Sequence, residues 1–276
     1  MSVTFHGRAV DPGTFGFALP PETFLATAAT SGFDTVELPV AVAGELGATL
    51  PRLLAEHDLA APLFSCPWSL PANGSVDTAT FESRLAEMPA LLEPVAAAGG
   101  RQVSAFFAER RPMMFQLSVE QTADRAGRLL EQARSWGMGL SVELNDVGCL
   151  RAAADVLGRV PGLNLLLDTF HYWRAGLDAE WFATLPQDAI GWVHLSGVPR
   201  GAVPTDDGGP RSAPGEGDQD LSTLLQCIGA RYRGPLSLEV IPEPPAGTDL
   251  AAYGCALLDT ARRAVAAAPA RWAARQ

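Results

Sequence analysis

The chain is predicted to be a single-domain α/β protein closed into a (β/α)8, or TIM, barrel, on three observations. Eight short apolar runs alternate with segments of helical period. Those runs are apolar almost without interruption, as strands of a parallel sheet covered by helices must be. No GxGxxG turn follows the first strand, where a doubly wound open sheet would typically carry one. Eight units is the number that closes a barrel, and such barrels commonly run to about 250 residues.

In chain order, a first strand falls within residues 3–19. FDTVEL (33–38), APLFSC (61–66), RQVSAFF (101–107), GLSVEL (139–144), LNLLLD (163–168), IGWVHL (190–195) and PLSLEV (235–240) supply the other strands. Helices are expected over 21–31, 45–57, 78–98, 118–136, 147–159, 178–185, 220–231 and 248–267. Ser118 with Gln121 forms a capping box, and Gly137 closes the same helix. Asp77 and Asp178 are N-caps. The barrel is assigned to residues 1–268, with 269–276 as a peripheral tail. One connection, residues 197–220, has six glycines and four prolines. It exceeds the ~2–6 residues usual for a βα loop, as functional lids and disordered segments do.

Composition narrows the function. Of 276 residues, 47% are hydrophobic and 18% charged, which suits one sizeable core and excludes a disordered chain. A net charge of −11 argues against nucleic acid and anionic membrane surfaces as partners. No apolar run approaches the ~20 residues of a membrane span, and MSVTFHGRAVDPG is not a signal region. A cytoplasmic protein is expected, and a homodimer or homotetramer is compatible with it. All 20 basic residues are arginine. Schiff-base lysines, pyridoxal-phosphate anchors and Walker-A lysines are thereby excluded. Cys66, Cys149, Cys227 and Cys255 show no CxxC spacing and are expected to be buried thiols.

Four consecutive strands carry a polar residue at or one position before their ends: Glu143, Asp168, His194 and Glu239. Any one of them alone reads as a helix cap, a solvated loop residue or a hydrogen-bonded core histidine. Together, the strand ends of a barrel would aim three carboxylates and an imidazole at one space. With no lysine available, that much negative charge calls for a cation. Three oxygens and one nitrogen suit Mn, Mg or Co, with Zn also compatible.

The motifs SVELN, DTFH, VHLSGVPR, PGEGD and LSLEV resemble the xylose-isomerase-like barrel superfamily of sugar isomerases and epimerases. It includes ketose 3-epimerases, hydroxypyruvate isomerases and inosose-processing enzymes. The resemblance implies one divalent metal held by Glu143, Asp168, His194 and Glu239. It also implies substrate contacts by His171 and by an arginine after the His194 strand. Arg200 fits that arginine best and Arg211 is the second candidate. Many relatives have an aspartate where this chain has Gly197.

The activity so implied is isomerisation or epimerisation of an α-hydroxyketone from a sugar or polyol through a metal-stabilised enediolate. Glu143 and Glu239 would be acid and base, and His171 would move or polarise a proton at oxygen. Trp68 and Glu37 are further substrate-contact candidates at strand ends. The principal rival is a dehydratase, of the inosose or dehydroshikimate type, that expels water from the same enolate. A non-catalytic metal-binding relative is a lesser rival. The DNA-repair branch needs extra histidines that FSCPW and AFFAER do not offer. The xylose isomerases proper need a second metal and a lysine.

Overall fold

The structure, a computed structural model, describes residues 2–4, 19–65, 76–107, 117–144, 150–203, 210–240 and 247–268. Eight parallel strands follow one another in chain order around a closed barrel. They are β1 (Ser2–Thr4), β2 (Thr35–Pro39), β3 (Ala60–Ser65), β4 (Gln102–Phe107), β5 (Gly139–Leu144), β6 (Asn164–Asp168), β7 (Ile190–Leu195) and β8 (Leu236–Leu238). The helices are α1 (Pro21–Thr30), α2 (Val40–Leu46), α3 (Thr49–Glu56), α4 (Thr78–Ala97) and α5 (Val119–Ser135). They continue as α6 (Ala153–Arg159), α7 (Thr169–Arg174), α8 (Ala179–Thr184), α9 (Leu221–Arg231) and α10 (Leu250–Ala267).

The two-residue period of each strand sorts its side chains. Leu165 and Leu167 of β6, with Val193 and Leu195 of β7, face outward and join the main core under the helices. Leu166 and Trp192 face inward and meet Leu63 of β3 inside the barrel. Full burial of each such leucine or valine contributes about 1.5–3 kcal/mol. The same period carries Asp168, two residues past Leu166, and His194, two past Trp192, onto the inner face. Registration places Glu37 beside Leu63, and Glu143 beside Leu166. The pattern that builds the apolar floor therefore also points the polar strand ends upward from it.

The caps at Asp77, Ser118 with Gln121, and Asp178 are all present. Gly137 closes α5 at φ +73°. The departures have local causes. The first strand is short and begins at Ser2, ahead of the expected window. The expected helix at 45–57 is two helices, because Gly47 breaks the run at φ +47°. The segment Thr169–Arg174, over which the sequence predicts no helix, is a helical turn started by Asp168. Cys255 is exposed and Cys227 half-buried, where the sequence predicts both buried; Cys66 and Cys149 lie outside the described residues, as does the expected tail. Among the described residues no helix is long and apolar enough to cross a membrane.

Candidate metal and acid–base site

Glu143, Asp168, His194 and Glu239 each bring one ligand-type atom to the mouth of the barrel, all within 4.8 Å of one another. Asp168 and His194 are register partners on β6 and β7. Glu239 lies just beyond β8, held by its own N–H donating to Leu195 O at 3.1 Å. Glu143 is the most open of the four, with 16% of its side chain exposed. Asp168 divides its oxygens. Oδ1 accepts from the Phe170 N–H at 2.8 Å and starts α7, while Oδ2 faces the cluster. One residue is thus both helix cap and candidate ligand.

His194 joins the two halves of the site. Its Nδ1 lies 2.9 Å from Glu239 Oε2 and 3.8 Å from Glu143 Oε1. Its Nε2 lies 2.9 Å from Glu37 Oε2. Burial alone would lower the imidazole's pKa, but Glu37 and Glu239 hold it well above the ordinary histidine range. Glu143 is pushed up to about 8, first by burial and then by Glu239 and Asp168, against the opposing pull of His194 and Arg211. His171 on α7 goes the other way, down to about 4: burial and two arginines outweigh Asp168 and Glu239. At neutral pH His171 is therefore a neutral imidazole, its Nε2 3.4 Å from Asp168 Oδ2.

The long connection after β7 delivers the site's cation. Arg211 is buried and ion-pairs with Asp168 Oδ2 at 2.7 Å and with Glu239, its guanidinium 5.1 Å above the Phe170 ring. Burial works against its charge, but Asp168, Glu239 and Glu143 more than offset that, so it is held more firmly protonated than usual. Arg200, the arginine favoured by sequence, is exposed and does not enter the cluster. Glu37 sits at 0% exposure beneath His194, inside the barrel rather than at a substrate surface. Trp68 lies outside the described residues.

Gly197 has a physical reason. It pairs with Ser212 through two backbone hydrogen bonds of 2.8 and 3.1 Å. A Cβ there would meet Ala213 O at 2.4 Å and Glu216 O at 2.6 Å. Only glycine lets the connection fold back onto the strand end and present Arg211. Farther along, Gln219 donates to Thr169 O at 2.7 Å, a brace that no sequence signal pointed to. Gly197→Asp is expected to dislodge this strap. The overpacking should cost about 1–3 kcal/mol, read as a lower melting temperature together with new proteolytic cleavage between residues 197 and 220.

The donor set fits a divalent cation. His194 Nδ1 and Asp168 Oδ2 are both buried, face the other ligand atoms and lack a well-aligned hydrogen bond. Three carboxylates and an imidazole provide the oxygen-rich, single-nitrogen sphere of Mn, Mg, Co or Zn.

Comparison with known proteins gives concordant relatives. A family model described as a xylose isomerase-like TIM barrel matches residues 25–261. A 3-dehydroshikimate dehydratase of Pseudomonas aeruginosa is 31% identical over 138 residues, 47% of this chain. That match spans about a fifth (21%) of the relative's own length. Among solved structures, D-psicose 3-epimerase from Clostridium cellulolyticum H10, with D-tagatose, superposes with a TM-score of 0.71 at 14% identity, covering 95% of this chain and 98% of that one. The IolI protein with a bound zinc atom gives a TM-score of 0.70 at 16% identity, covering 89% and 91%.

Proposed function

The chain belongs to the xylose isomerase-like TIM barrel family, and from that premise and the cluster at the barrel mouth we propose a metal-dependent isomerase or epimerase of small α-hydroxyketones. Its substrate is of the sugar or polyol type, and its compartment is the cytoplasm. The observation that carries this reading is the convergence of Glu143, Asp168, His194 and Glu239 within 4.8 Å. These four residues would hold the cation; Mn, Mg, Co and Zn all suit them, and zinc is the ion of the IolI neighbour. When bound, the ion supplies Lewis-acid stabilisation of negative charge at a substrate oxygen.

The protein's own groups divide the proton work. Glu239, ion-paired with Arg211, is the base that takes the proton from the carbon beside the carbonyl. Glu143, the most solvent-open of the four, is the acid: it takes a proton from solvent and returns it from the other side. Return to the same carbon inverts it, and return to the neighbouring carbon isomerises the ketose. Neutral His171 polarises or shuttles a proton at oxygen. Arg211 fixes the substrate's oxygens through its paired N–H groups.

A second reading is favoured by one observation, the match to 3-dehydroshikimate dehydratases. There the same base removes the same kind of proton, and a β-hydroxyl leaves as water once Glu143 has protonated it. Both readings predict that the protein as purified carries stoichiometric divalent metal and exchanges substrate C–H for solvent deuterium. NMR across a panel of ketoses, inososes and cyclic hydroxyketones reads the exchange. Enone absorbance in the ultraviolet marks the dehydratase, and an inverted or shifted carbonyl marks the isomerase. Metal bound with neither deuterium exchange nor enone formation in any member of the panel would sink both.

A further inference from the structure

Glu37 stands on β2, three strands from β7 around the closed barrel, yet its carboxylate reaches His194. Oε2 accepts from the Ser237 hydroxyl at 2.8 Å and lies 2.9 Å from His194 Nε2. Between a carboxylate and an imidazole at that distance the nitrogen is the donor. A buried carboxylate is costly to keep unless it is paired and hydrogen-bonded. Here the cost is met by contacts from two strands across the barrel, both aimed at one oxygen. At 0% exposure Glu37 has no route to a substrate. It meets the histidine of the candidate metal sphere and the serine beside that histidine on β8.

We infer that Glu37 is a positioning residue: it holds the Nε2–H of His194, so that the proton Nδ1 shares with Glu239 is the one a bound cation would displace. Resting on the metal-site reading above, this adds a carboxylate–histidine–cation relay spanning the barrel from β2. Both ring nitrogens lie 2.9 Å from a carboxylate oxygen, but Nδ1 faces the candidate ligands Glu143 and Glu239 while Nε2 faces Glu37 in the barrel interior, so Nδ1 is the nitrogen turned to a cation. A neutral imidazole with its proton on Nδ1 would turn a donor, not a lone pair, towards the cation. Ser237 restrains the orientation of the Glu37 carboxylate, so the relay has its own brace. Outer partners of this kind alter metal affinity by about 10–100-fold when replaced.

The test is made on the full chain. In wild-type protein labelled with 15N-histidine and loaded with Zn2+, long-range 1H–15N spectra should show His194 protonated at Nε2 and metallated at Nδ1. Chelator competition should show Glu37→Gln binding Zn2+ about 10–100-fold more weakly, because an amide can turn either its oxygen or its NH2 to the ring. Ser237→Ala should weaken binding less, with the same tautomer, and it keeps the test available if Glu37→Gln fails to fold. A metallated Nε2 in the wild type, or Glu37→Gln affinity within twofold of wild type, overturns the role of Glu37 alone. A wild-type protein that binds no divalent cation overturns the functional reading as well.

Discussion

Replacing Glu239 by glutamine is expected to lower solvent-deuterium exchange into substrate by about 10²–10⁴-fold at saturating metal. Replacing Glu143 should have a different consequence. Glu239 is the group in contact with both Arg211 and His194, while Glu143 is the carboxylate more open to solvent, from which a proton can be resupplied. A Glu143→Gln protein keeps the base and loses the acid. It should still exchange the substrate proton with solvent while net conversion falls by a similar ~10²–10⁴-fold. The pair of variants therefore separates proton removal from proton return. Saturating metal is essential, since each glutamate also belongs to the candidate ligand set, and a glutamine offers a weaker oxygen. Equal loss of exchange in both variants would reverse the assignment for Glu143. Wild-type exchange rates in both would remove glutamate acid–base chemistry from the site.

Much of this arrangement could be read before the fold was known, for a physical reason. Strand ends in a parallel barrel share one face, so a polar residue closing an apolar run is placed by topology alone. Glu143, Asp168, His194 and Glu239 are placed in this way, and the structure brings their ligand atoms together. Asp168 answers an ambiguity by satisfying both readings, one oxygen capping α7 and the other facing the cluster. The helical turn that carries His171 was hidden because TFHYWR is short and aromatic, and its start signal is the aspartate already counted as a strand end.

Side chains that reach the site from loops or across the barrel are less legible. Sequence favours Arg200 over Arg211, whereas the structure brings Arg211 into the cluster and leaves Arg200 exposed. The choice between them depends on the Gly197–Ser212 pairing, a contact between segments 15 residues apart (212 − 197) with no periodic pattern to announce it. Glu37 was visible as a strand-end carboxylate. Its direction was not, because registration against Leu63 decides whether it faces a substrate or the barrel interior. Local pattern finds the residues, and long-range closure decides what each one touches.

Metal affinity is expected to rise about tenfold to a hundredfold per pH unit between pH 6.5 and 8, with release of one to two protons per ion bound. The donors must shed protons to bind, and two of them hold protons unusually firmly. Glu143 is raised from 4.5 to about 8, and His194 well above 6.5. For a group raised on folding, the stability it contributes is whole below its unfolded value and is lost as pH rises through its folded one. In chelator-treated protein both groups therefore favour the folded state less as pH climbs from 6.5 to 8. His171 has the opposite sign. Lowered from 6.5 to about 4, it contributes fully above 6.5 and loses that contribution as pH falls towards 4. Between 4.5 and 6.5 the trends of Glu143 and His171 oppose each other, so the decline attributable to the site begins near pH 6.5. Thermal melts of chelator-treated protein should thus fall between pH 6.5 and 8, while metal-loaded protein, whose ligands are already deprotonated, holds its melting temperature. Titration calorimetry in buffers of different ionisation enthalpy counts the protons directly. A proton count near zero at pH 7 would mean that Glu143 and His194 do not both meet the ion.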